Sequence, residues 1–165
     1  MLGALFNSSV PLNTMVGIRN YERAYERAKE RIASSKDISE KNKEHIFGFC
    51  NYLLSESIGV AKINRYLCDL VRFNRHFKGN FKEATKEDIR RVVSLVAQEP
   101  ISEETKRGFK IMLRKFYCYL RGFEEKGIYP DEVRWMRMEL SSKHRKLPEE
   151  LITEDEAKAR LMPTL

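Results

Sequence analysis

The chain is poor in the residues that build stapled, turn-rich or membrane-embedded folds. Its 165 residues hold three cysteines, Cys50, Cys68 and Cys118, and no two form a Cys-x-x-Cys pair. That spacing excludes a zinc ribbon and a paired redox motif. An odd number of scattered cysteines fits a reducing, cytoplasmic compartment. Each lies among apolar residues at helical spacing and is expected as a small core side chain. Eight glycines and five prolines are few for an all-β chain. There is no Asn-Gly or Asp-Gly hairpin turn and no sustained apolar–polar alternation, so strands are not expected. No run of 18 apolar residues exists, which excludes a transmembrane helix. Met1 to Val16 has no basic residue before its short apolar stretch, and Pro11 interrupts it. It does not read as a targeting signal, and a loose leader over 1–16 is expected. Paired catalytic carboxylates, metal-ligand clusters and a Gly-rich phosphate loop are also missing, so neither metal nor cofactor is expected.

What is present is helical periodicity. Ile18, Tyr21, Tyr25, Ala28 and Ile32 recur at spacings of three and four and predict a helix over Gly17–Ala33 with one apolar stripe. A short linker follows to residue 36. Ser39 is placed to cap a second helix carrying Ile46, Phe49, Cys50, Leu53 and Leu54, with Gly59 as its left-handed terminator. A third helix is expected from Val60 to about Phe77. Ile63, Leu67, Leu70, Asn74 and Phe77 face inward, with Tyr66 and Val71 at the edge. Lys62, Arg65, Asp69, Arg72 and His76 lie on the other side, and Arg75 lies near them. Lys78-Gly79-Asn80 reads as a turn. Thr85 and Asp88 approximate a capping box before the stripe Ile89, Val92, Val93 and Val96. Ser102 opens the longest amphipathic stretch, with Phe109, Met112, Leu113, Phe116 and Leu120 inward and Arg107, Lys110, Arg114 and Arg121 on a different face. Gly122, Gly127 and Pro130 are expected to end the compact region. A short amphipathic piece around Val133, Trp135, Met136 and Met138 follows, then a basic linker over Ser141–Pro148. A last, short helix opens on the box Thr153-Glu154-Asp155-Glu156.

The charge is uneven. The chain carries 31 basic and 24 acidic side chains, a net +7. Residues 61–121 hold 15 basic against 7 acidic, a net +8, while 1–60 carry +1 and 122–165 carry −2. The excess therefore sits with two helices, one bearing Lys62, Arg65, Arg72 and Arg75, the other Arg107, Lys110 and Arg114. Cations presented in this way suit a duplex backbone, because each neutralised phosphate releases condensed counterions. Arg and Lys on a helix in the major groove can also read guanine edges.

These residues carry a family pattern. The stretch Ser102-x-x-Thr105-Lys106-Arg107, then Leu113-x-x-Phe116-Tyr117-x-Tyr119-Leu120 and Gly127, resembles the last helix of the core-binding domain of tyrosine recombinases (phage integrases and Xer-type recombinases). Arg65-Tyr66-Leu67-x-Asp69-Leu70-x-x-Phe73 resembles the second helix of that domain, and Ala84-Thr85-Lys86-Glu87-Asp88-Ile89 the entry to its third. Lys146 to Glu156 resembles the interdomain linker and first cap of the catalytic domain, and Tyr129 to Trp135 is most similar to archaeal members. The resemblance spans Ser39 to Ala157. It implies an all-α fold: a four-helix SAM-like integrase core-binding bundle, with an extra N-terminal helix and linker over 17–36 and a C-terminal linker. The DNA-binding domain would occupy 37–128, and 129–165 would be linker and the truncated start of the catalytic domain.

In that family the domain is one half of a clamp around double-stranded DNA, with its second and fourth helices at the major groove. Here those helices carry Lys62, Arg65, Arg72, Arg75, Arg107, Lys110 and Arg114, the residues expected to contact DNA. Family members cut DNA through a tyrosine nucleophile assisted by arginines and a His-x-x-Arg motif. His45, His76 and His144 are followed three residues on by Gly48, Gly79 and Leu147, so the motif is missing and no enzyme is expected. A second reading is a protein-interaction module that pairs with full-length recombinase protomers or with itself. The Ile18/Tyr21/Tyr25/Ala28/Ile32 stripe is its candidate face.

Overall fold

A computed structural model describes residues 20–138. Expectations that fall on 1–19 and 139–165, including the leader, Ile18, the basic linker and the helix opening at Thr153, lie outside the described residues. Within them the fold is all-helical, with six α-helices and no strand: α1 (Tyr21–Ser34), α2 (Glu40–Ser55), α3 (Val60–His76), α4 (Lys86–Gln98), α5 (Glu103–Arg121) and the single turn α6 (Asp131–Arg134). A 3-10 turn at Phe81–Glu83 precedes α4.

The helix starts follow from capping chemistry. The side chains of Asn20 and Ser39 accept from the backbone N–H of Arg23 and Asn42 at 2.9 and 3.3 Å. Thr85 and Asp88 form a full capping box: the Asp88 N–H donates to Thr85 Oγ1 at 3.2 Å, and the Thr85 N–H donates to Asp88 Oδ2 at 3.1 Å. Ser102 Oγ accepts from the Thr105 N–H at 3.2 Å. Each cap satisfies donors that the first helical turn leaves orphaned. Gly122 ends α5 in the left-handed region at φ 70°. The expected terminator of α2 is corrected: α2 stops at Ser55, the positive φ of 58° falls on Ser57, and Gly59 does not adopt one.

The described residues fall into two compact units, divided between Val71 and Arg72. In the first, α1 buries Tyr25, Ala28 and Ile32, α2 buries Ile46, Phe49, Cys50 and Leu53, and α3 buries Ile63, Tyr66, Leu67 and Leu70. The Phe49 ring stacks on Tyr66, with centroids 6.2 Å apart. Lys43 is buried and its ammonium donates to the Ala33 carbonyl at 2.9 Å and to Glu40 at 2.7 Å. A cation at the end of α1 complements its macrodipole.

The second unit is built on aromatic contacts. Phe73, Phe81, Phe116 and Tyr117 are fully buried, with centroids 5.2 Å apart for Phe73–Phe81 and 5.8 Å for Phe81–Phe116. The buried Tyr117 hydroxyl donates to the Phe81 carbonyl at 3.0 Å, which removes an otherwise unmet polar pair. A Cβ at Gly79 would lie 2.7 Å from the Phe77 ring, so a side chain there would require that ring to shift. Val133 and Met136 are also buried, and α6 packs on α4 and α5.

Several burial expectations change. Tyr21 and Leu54 are each 44% exposed, so neither belongs to a core stripe. Tyr66 moves from the edge to the interior, and Asp69, expected on the outer face, is 3% exposed. Of the cysteines, Cys50 is buried as expected, Cys118 is half-buried, and Cys68 is exposed rather than a core residue.

Candidate nucleic-acid interface

The seven cations read from the sequence have different environments. In the first unit Lys62 and Arg65 are exposed on α3. The Lys62 ammonium lies 5.9 Å from the Tyr66 ring centroid, within reach of the ring's negative face.

In the second unit, Arg75 is exposed on the last turn of α3. Arg72 is half-buried, with Nε 3.2 Å from Glu99 Oε2, and His76 Nε2 lies 2.9 Å from Glu99 Oε1. Glu99 stands between α4 and α5, just before Pro100. Its carboxyl is held below the usual glutamate range, first by the hydrogen bond from His76 and also by the charge of Arg72. Lys110 is half-buried on α5 beside a small cavity of about 100 Å³ lined by Val93, Val96, Phe109 and Lys106 among others.

Arg107 and Arg114 are committed elsewhere. Both reach from α5 to the chain after Pro130. Arg107 Nε donates to the Met138 carbonyl at 2.8 Å, and Arg114 Nη2 donates to the Met136 carbonyl. The Arg114 guanidinium also lies 4.2 Å from the Tyr129 ring centroid. Two arginines outside the expected set do the same. Arg121 Nη2 lies 2.6 Å from Glu132 Oε1, and the Arg90 guanidinium of α4 lies 5.3 Å from the Trp135 ring centroid. Arg121 was visible on the Arg107/Lys110/Arg114 side of α5. Arg90 and the ring and carbonyl partners carried no sequence signal, because they depend on how residues 129–138 return to the bundle.

Burial pushes the Tyr117 phenol well above the ordinary tyrosine range and raises the Cys50 thiol to about 11. Both groups are therefore held protonated, which suits core residues and not nucleophiles. Among the described residues no group of three His, Cys, Asp or Glu side chains is placed to hold a metal ion. Among the same residues, no helix is long and apolar enough to cross a membrane.

Comparison with protein-family models, with curated proteins and with solved structures finds no match.

Proposed function

We propose that this chain binds double-stranded DNA without cutting it, as the core-binding half-clamp of a tyrosine recombinase acting in a reducing, cytoplasmic compartment. The observation that carries the reading is the concentration of charge: residues 61–121 hold a net +8, and Lys62, Arg65 and Arg75 from that stretch stand exposed on α3. Exposed guanidinium and ammonium groups can exchange water and counterions for phosphate oxygens, which gives salt-dependent affinity. Lys62, Arg65, Arg75 and Lys110 are the principal contacts in this reading. Arg72 contributes once Glu99 releases it.

Fluorescence anisotropy with a random-sequence duplex tests the assignment. Lys62→Ala with Arg65→Ala should flatten the slope of log affinity against log salt by about 1–2, close to one for each phosphate no longer neutralised. An unchanged slope takes both residues out of the interface. The rival reading, an interaction module pairing with recombinase protomers, relied on the α1 stripe. Of that stripe, Tyr25, Ala28 and Ile32 are buried within this chain and Tyr21 is exposed.

A further inference from the structure

Residues 129–138 behave chemically as a stand-in for an anionic ligand. Four arginines of the second unit are each matched to an acceptor, a carboxylate or an aromatic face in this one segment. Arg107 and Arg114 donate to the carbonyls of Met138 and Met136. Arg121 pairs with the Glu132 carboxylate, and Arg90 covers the Trp135 ring. Carbonyl and carboxylate oxygens are acceptors to which a guanidinium can donate in place of phosphate oxygens. The segment is held at its centre by two apolar anchors, Val133 at 0% and Met136 at 2% exposure. Its own charges are partly cancelled, since Arg134 lies 2.9 Å from Asp131. It has little regular structure, a single helical turn flanked by residues in no regular element.

We infer that residues 129–138 form a strap that occupies the α4–α5 arginines and competes with duplex DNA for the same guanidinium groups. The inference rests on the DNA-binding reading above. With the strap seated, Arg90, Arg107, Arg114 and Arg121 are withheld and the chain binds through its remaining cations. With the strap displaced, those arginines become available to phosphates, and the backbone after Arg134 and Arg137, whose side chains are already exposed, loses its anchors and can enter a protease. The strap thereby sets the affinity of the arginine face from within the chain.

Limited trypsin digestion of the full chain reads strap displacement directly. Addition of a random-sequence duplex at low salt should speed cleavage after Arg134 and Arg137. Unchanged or slower cleavage overturns the inference and leaves DNA binding itself intact, provided anisotropy shows the duplex bound. A second test weakens the anchors without touching an arginine. Val133→Ser with Met136→Ser should bind the duplex several-fold more tightly than the parent chain. Its log–log salt slope should be steeper by up to about four, one for each of Arg90, Arg107, Arg114 and Arg121 released. Equal affinity and equal slope in a variant that keeps its helical circular dichroism overturn the competition. If neither chain binds any duplex at low salt, the DNA-binding reading falls and the strap's role falls with it.

Discussion

Glu99 shows how one carboxylate can tie charge state to structure. It draws Arg72 and His76 together at 3.2 and 2.9 Å, and its pKa is depressed in the fold. A depressed carboxyl contributes stability that is complete above the unfolded value, about 4.3 for glutamate, and is lost as pH falls through the lower folded value. Thermal melts from neutral pH down to acid should therefore show a drop in the parent chain that is smaller in Glu99→Gln. Parallel pH profiles for the two proteins would show that the triad has no such linkage. Tyr117 makes the complementary case for a buried neutral group. Tyr117→Phe keeps the ring contacts but leaves the Phe81 carbonyl without its 3.0 Å donor, and denaturant unfolding should report a loss of about 1–3 kcal/mol.

At the scale of elements, the caps were the most legible part of the sequence. Ser39, Thr85 with Asp88, and Ser102 each mark a helix start within one residue of where α2, α4 and α5 begin. The reason is local: a cap is a bond between a side chain and a backbone N–H two or three residues on, so spacing alone reveals it. Thr85→Ala should cost about 1 kcal/mol in unfolding free energy, measured by urea titration, and no loss would mean that tertiary packing alone holds α4. The inward stripe of α4 was equally legible because Ile89, Val92, Val93 and Val96 repeat at a single helical period. Tyr21 and Leu54 satisfied the same period yet stand 44% exposed, because periodicity identifies a face and not the extent of cover over it. Asp69 reversed for a related reason. Polarity placed it outward, and the packing of α3 buries it.

For the molecule as a whole, the candidate interface was half legible. Charge counting identified the basic helices, since composition is a property of the chain before it folds. It could not separate cations open to solvent from cations already engaged. Arg107 and Arg114 are bound to carbonyls 31 and 22 residues further along the chain, and such pairings are decided by the path of residues 129–138. That segment, expected as linker, instead buries Val133 and Met136.

The distinction matters for the central proposal, because phosphate contacts are counted by the salt dependence of binding and not by the number of basic residues. The measurement that tests the proposal most directly is the affinity of the full chain for a random-sequence duplex across a salt titration. The account predicts binding at low salt that weakens linearly on a log–log plot, with a slope of about −4 for the contacts of Lys62, Arg65, Arg75 and Lys110, and steeper where the duplex displaces residues 129–138. The absence of binding at low salt, or an affinity indifferent to salt, would contradict it.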